Sequence, residues 1–190
     1  MINKQDFKKI RDKMSKYDKG RETLIKKARD VLKLSKQLIY TIHRKDMKGA
    51  AELVTEIKKE KAELDKIASV DKELFHEGSY SQAMQEYVEA FAYYGFIKNK
   101  KIPSFSSLKV AGKDYLMGIC DLSGELARKA VTIAHKNPKE VKKIKDLVED
   151  IFGEFLKFNL RNSELRKKSD SIKWNLKKLE EVTYDIGKRK

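Results

Sequence analysis

The chain has 190 residues and carries 44 Lys and Arg against 29 Asp and Glu, a net charge of +15. That length fits one domain over residues 1–190 with a sizeable core. No apolar run approaches the roughly 20 residues that cross a bilayer, and a single cysteine, Cys120, excludes an intrachain disulfide.

The opening stretch MINKQDFKKIRDKM lacks the apolar core of a signal peptide. With the lone cysteine, this fits a reducing cytoplasm. A surplus of fifteen positive charges favours polyanions: nucleic acid first, an anionic membrane surface second. A Lys- and Glu-rich thermophile surface would raise both signs together and would not leave this surplus.

From Phe7 to Ile42 the apolar residues recur at alternating three- and four-residue steps, through Ile10, Met14, Tyr17, Leu24, Ala28, Val31 and Leu38. That spacing predicts one long helix with a narrow packing seam. Arg21 and Ser35 interrupt the seam; Arg21 is either a buried ion-pair partner or a cation pointed at a ligand. Ile25, Leu32 and Ile39 lie beside it and predict a further interface. A second helix runs from about Lys48 to Ala68, with Lys61 breaking its apolar register. Ser79 with Gln82 predicts a capping box opening a third helix that ends near Asn99.

Residues 100–112, with Pro103, form a connector. A fourth helix covers about Lys113 to His135. Asn137, Pro138 and Glu140 supply an N-cap, a first-position proline and a capping-box acid for a fifth helix lasting to about Phe158. The last helix covers about Asn162 to Ile186. No alternation of apolar and polar residues marks a strand. The fold class is therefore all-α, with six helices and a long first and last member.

Two helical stretches are unusually apolar for so polar a chain, QEYVEAFAYYGF and YLMGICDLSGELA, and each carries two acids. Glu86 and Glu89 are three apart; Asp121 and Glu125 are four apart. Both spacings put the pair on one helix face. A buried carboxylate is costly unless paired or metal-bound. One reading is a shared divalent cation, since hard oxygen ligands suit Mg²⁺ or Mn²⁺. Such an ion can activate water for phosphoryl displacement. The other reading, more common for helical acids, is that they face solvent or pair with Lys and Arg from other helices.

These same stretches resemble the translin/Trax family. QEYVEAFAYYGFIKNKKI is similar to a Trax segment with a pair of glutamates before FIK, and YLMGICDLSGELARKAV to the signature helix of both proteins. RETLIKKARDVLKLSKQLIYTIHR looks like their first helix. LRNSELRKKSDSIKWNLKKLEEVTYDI looks like their C-terminal helix, closer to translin. The resemblance implies a translin-like bundle of about seven helices and a closed homo-octameric shell whose basic interior encloses RNA, or single-stranded DNA. Trax subunits carry the nuclease and translin subunits do not. The acids matched here by Glu86, Glu89, Asp121 and Glu125 imply catalysis with Mg²⁺ or Mn²⁺, in what looks like an archaeal, C3PO-type single-gene form. The chain lacks the long extensions of eukaryotic Trax and its insertion before the signature helix.

His76, in LFHEG, is similar to a His-containing stretch that contributes to nucleic-acid binding in translin; a lone His is more often a surface or core residue. Candidate phosphate contacts are Arg21, Lys27, Arg29, Arg128 and Lys129, with Arg21 and Arg128 favoured because each lies near an apolar or acidic face. Phe91, Tyr93, Tyr94 and Phe96 read as core, with base stacking the weaker option. Gly118 and Gly124 read as close-packing positions, and Cys120 as packing. No zinc spacing, phosphate-binding glycine loop or nucleophile elbow is present. The alternatives to an endoribonuclease are a non-catalytic RNA- or single-stranded-DNA-binding shell and a structural module that binds a protein.

Overall fold

The computed structural model describes residues 2–161 and 163–188. Among them are seven α-helices, one 3-10 turn and no strand: α1 (Lys4–His43), α2 (Met47–Ala68), the turn Lys72–His76, α3 (Gly78–Asn99), α4 (Phe105–Leu108), α5 (Gly112–Ile133), α6 (Pro138–Leu156) and α7 (Glu164–Lys188). Asn162, the expected start of the last helix, lies outside the described residues. Contacts group the chain into two compact units, 1–87 and 88–190, with the division falling inside α3.

In the first unit α1 and α2 form a helical hairpin. The Asn3 side chain accepts from the Gln5 amide (3.1 Å) and so starts α1. Asp46 does the same for α2, accepting from Gly49 N (2.9 Å). A Cβ on Gly49 would fall 2.5 Å from the Asp46 carboxylate and force that capping side chain to shift. The turn between them uses Lys45 at φ 64°, in the left-handed region.

The shared core is Leu24, Ala28, Val31, Leu38 and Ile42 against Ala50, Ile57, Leu64 and Ala68, with Leu74 of the 3-10 turn also buried. Each fully buried Leu or Ile contributes roughly 1.5–3 kcal/mol. Lys61, the one lysine at a seam position of α2, is 5% exposed. Asp65 pairs with it at 2.6 Å and accepts from the Tyr80 hydroxyl at 2.8 Å. The seam of α1 is buried only from Leu24 onward; Phe7, Ile10 and Met14 face water.

Helix α3 begins two residues earlier than the sequence predicts, and Ser79 does not cap it. The carbonyl of Glu77 accepts from Ser81 N (3.1 Å), so the cap position falls two residues before Ser79. Ser79 sits in the first turn, its buried Oγ without a hydrogen-bond partner among the described residues.

In the second unit α5, α6 and α7 pack on one another. Helix α5 is buried nearly all round, through Met117, Cys120, Leu122, Leu126 and Ala130. Ser123 accepts from Asn175 of α7 (2.8 Å) and donates to the Cys120 carbonyl (2.6 Å). A Cβ on Gly124 would stand 3.7 Å from the Asn175 amide, an ordinary contact, so the approach of α7 does not require a glycine there. Asn137 caps α6 as expected, accepting from Glu140 N at 3.1 Å.

The connector holds the short helix α4, capped by Ser104 and closed by Lys109 at φ 52°. It folds back on α3 closely enough that a Cβ on Gly95 would meet the Lys101 carbonyl at 2.5 Å. The expected aromatic core holds for Phe91, Tyr93 and Phe96, which are buried. Tyr94 is only half-buried, beside Lys98.

Candidate functional site

In the first unit, Arg21 of α1 faces the start of α3. Its Nε lies 2.9 Å from Glu77, while the side chain stays 48% exposed and Glu77 is 15% exposed. Arg21 is therefore paired but not buried. The Tyr17 hydroxyl donates to the other Glu77 oxygen at 2.5 Å. Tyr17 first, then Arg21, hold the Glu77 carboxyl below its ordinary range against the opposing effect of burial.

Arg21, Arg29, Ile25, Leu32, Glu77 and Ser79 line a cavity of about 300 Å³ at this point. Arg29 has no ion-pair partner among the described residues. His76 is exposed, one residue before Glu77, at the end of the 3-10 turn. Lys27 stands apart: it is held by Glu60 (2.6 Å) and Glu63 (2.5 Å), which neutralise it and push its pKa up. Ile39, expected beside the seam, is buried in the core.

Glu86 also belongs to the first unit. Lys36 of α1 lies 3.4 Å from it, and Glu86 is 19% exposed. Glu89, one turn later and counted with the second unit, is 9% exposed.

On α5 the acids have near neighbours of opposite charge. Lys168 of α7 sits 2.5 Å from Asp121, the two side chains being 26% and 29% exposed. Burial pushes the Asp121 carboxyl up, and this outweighs the lowering effect of Lys168. Arg128 lies 3.6 Å from Glu125 and is 59% exposed, against 21% for its partner. The Glu125 charge, after burial, also raises the Tyr93 phenol.

Lys129 is 3.8 Å from Glu140 on α6, and Lys100 is 3.0 Å from the same acid. Burial pushes Glu140 up, but Lys100 and Lys129 outweigh it and hold the carboxyl below its usual range. Cys120, next to Asp121, is fully buried and its thiol is pushed up to about 12, first by burial, so it is an inert packing group.

Carboxylate oxygens are the kind of ligand that suits a hard divalent cation. Among the described residues no three His, Cys, Asp or Glu side chains form a group that could hold a metal ion. In this structure the cations on these acids are side chains: Lys36 on Glu86, Lys168 on Asp121 and Arg128 on Glu125.

The sequence reading missed Lys168, Lys36 and Glu77. A signal for Lys168 existed, since it stands three residues after Leu165 and four before Ile172, both buried, which puts it on the flank of the packed face of α7. Among the described residues no helix is long and apolar enough to cross a membrane.

The sequence profile of the Translin family matches residues 19–190. An uncharacterised protein of Methanocaldococcus jannaschii is 28% identical over 170 residues, which span 87% of this chain and 75% of that protein. The crystal structure of apo-NeC3PO superposes with a TM-score of 0.85 at 29% identity, over 98% of each chain. The structure of AfC3PO in complex with duplex RNA superposes at 0.83 and 23% identity, over 97% of this chain and 98% of that one, and shares the fold. With a family match over residues 19–190 and a fold shared with the C3PO structures, the chain belongs to the translin family.

Proposed function

We propose that this protein binds RNA as a homo-oligomer and cleaves it as a Mg²⁺- or Mn²⁺-dependent endoribonuclease. The observation that carries RNA binding is the cavity at the start of α3, with the half-exposed Arg21 and the unpaired Arg29 on its wall. The first amides of a helix also point outward and favour an anion. A planar guanidinium grips phosphate through two hydrogen bonds, which a lysine cannot do. The net charge of +15 draws a polyanion toward such a site. The class of polyanion is supported by the family and by the RNA duplex in the AfC3PO complex.

Cleavage rests on Glu86, Glu89, Asp121 and Glu125, whose positions match the acids of Trax. A divalent ion held by these oxygens would supply Lewis acidity to a phosphodiester. The chain's own part is to keep the carboxylates on two apolar helices and to place Arg128 beside them for the backbone. Assembly is supported by large apolar side chains left in water, among them Phe7, Ile10 and Met14 on α1 and Trp174 on α7.

A second reading, a non-catalytic RNA- or single-stranded-DNA-binding shell, is favoured by one observation: Lys168 already engages the Asp121 carboxylate at 2.5 Å. Labelled RNA incubated with the protein in Mg²⁺, Mn²⁺ or EDTA separates the two. Shortened products with 5′-phosphate ends in either metal, absent in EDTA, support the nuclease. Retained RNA in every condition supports the shell, and no binding at low salt contradicts both.

A further inference from the structure

The cavity between α1 and the start of α3, about 300 Å³ in volume, holds more hydrogen-bond donors than its own acid uses. Arg21 spends only its Nε on Glu77, at 2.9 Å, and its two amino groups meet no acid among the described residues. Glu77 is in turn engaged on both oxygens, by Arg21 and by the Tyr17 hydroxyl. The carboxylate therefore orients the guanidinium and leaves neither oxygen bare. Arg29 is exposed and has no ion-pair partner among the described residues, and Gln82 has no hydrogen-bond partner among them.

The start of α3, a helix of 22 residues, adds to these donors. Its ladder begins with the Ser81 amide on the Glu77 carbonyl, and the amides of Gly78 and Ser79 donate to no carbonyl among the described residues. Beside them, the buried Ser79 Oγ borders the cavity and has no hydrogen-bond partner among the described residues. A buried hydroxyl left unpaired is costly, so it marks a place for an acceptor.

The ligand that fits is an anion rich in acceptor oxygens. An internal phosphodiester offers two free oxygens and a single charge, and its strand continues on both sides. A terminal phosphomonoester offers three strong acceptor oxygens and a charge of about −1.5 to −2 at pH 7. Arginine suits it, because a planar fork donates twice to one phosphate. The volume lies at the low end of small-ligand pockets, roughly 300–1,000 Å³, which suits one end nucleotide and not a strand running through. Ile25 and Leu32, half-buried on the same wall, supply apolar surface for its ribose and base.

We propose that this cavity holds the 5′-phosphate end of an RNA strand. The inference deepens the RNA-binding reading above and rests on it. Metal-dependent hydrolysis leaves the phosphate on the 5′ side of each new end, so the cavity holds an end of the kind that reaction makes.

The test measures binding in EDTA, apart from cleavage, with internally labelled single-stranded RNAs of one sequence. One carries a 5′-phosphate, one a 3′-phosphate and one neither. The 5′-phosphate RNA should bind about tenfold tighter than the other two, a difference of about 1.4 kcal/mol. Arg29→Met should bring all three within about twofold. Ser79→Ala removes only the orphaned hydroxyl and should narrow the preference about threefold, with little change in the thermal midpoint of the free protein. Inorganic phosphate at millimolar concentration should weaken only the 5′-phosphate RNA; free phosphate that binds as tightly as the RNA end would overturn the proposal. Equal affinity for the three RNAs, or a 3′-phosphate held as tightly as a 5′-phosphate, would overturn it while leaving RNA binding intact. A preference that survives both substitutions would place the end site elsewhere and overturn it too. Failure of every RNA to bind at low salt would contradict the RNA-binding reading and this inference together.

Discussion

Arg21–Glu77 and Lys168–Asp121 are both ion pairs between residues far apart in sequence, yet they differ in which member faces water. At the first, the cation is 48% exposed and the acid 15%. At the second, cation and acid are almost equally withdrawn, at 26% and 29%. An exposed guanidinium can exchange its partner for a phosphate at little cost, because surface pairs are worth about 0–1 kcal/mol. A withdrawn pair has lost water on both sides, and removing one partner strands the other. The first pair is thus suited to meeting a ligand, and the second is part of the fold until something replaces the lysine.

The largest effect expected from this contrast is on stability. Lys168→Met should destabilise the protein by about 1–3 kcal/mol, less than a fully buried pair would lose because both groups keep some water. Arg21→Met should cost about 0–1 kcal/mol. Urea denaturation of the two variants gives the comparison, and equal losses would break it.

Next in size is binding. Arg21→Glu with Arg29→Glu should weaken RNA binding about tenfold or more and flatten its salt dependence by about one unit per lost phosphate contact. The exposed Lys59→Glu should do much less. Equal losses would mean that diffuse charge, and no particular cavity, holds the RNA. Arg128→Glu tests whether the cation beside Glu125 shares in this.

Ser35 and Ser79 offer a smaller test, since each buries an Oγ without a hydrogen-bond partner among the described residues. Ser35 is fully buried in the α1 seam, so Ser35→Ala should be neutral or stabilise by up to about 1 kcal/mol. Ser79→Ala should matter less to stability and more to whatever anion fills the cavity. Thermal melts with and without RNA separate the two.

The smallest effect concerns pH. Tyr17 and Arg21 hold Glu77 below the ordinary carboxylate value in the folded state. Its contribution is therefore present above about pH 4.3, the ordinary value for Glu, and is lost as pH falls through the depressed one. Glu77→Gln should be a few tenths of a kcal/mol less stable than wild type near neutrality, with the gap closing on acidification. A gap that widens in acid would reverse the assignment.

Much of this architecture was legible in the sequence, because helix starts and packed faces are local signals. Asn137, Pro138 and Glu140 mark the start of α6 by their own hydrogen bonds. Ser79 misled because its spacing to Gln82 mimics a cap, while the helix starts from the backbone of Glu77. The periodicity of α1 was legible, but not that only its second half would be covered, since Phe7 and Leu24 occupy equivalent seam positions and differ only in what lies opposite. At the acids, spacing revealed the pairs on α3 and α5. It could not show that Lys168, 47 positions downstream of Asp121, would stand beside it. That depends on the rotation of α7 among Arg166, Lys167 and Lys168, where only the flank toward Leu165 and Ile172 turns inward.

The central claim is that a carboxylate now paired with Lys168 serves cleavage while a separate cationic surface holds the RNA. Asp121→Asn addresses it most directly, since it removes the charge and keeps the volume. In Mn²⁺, with labelled RNA, the account predicts binding within about threefold of wild type, a difference under 1 kcal/mol, and no cleavage. Cleavage at the wild-type rate would contradict it and would remove Asp121 from the reaction.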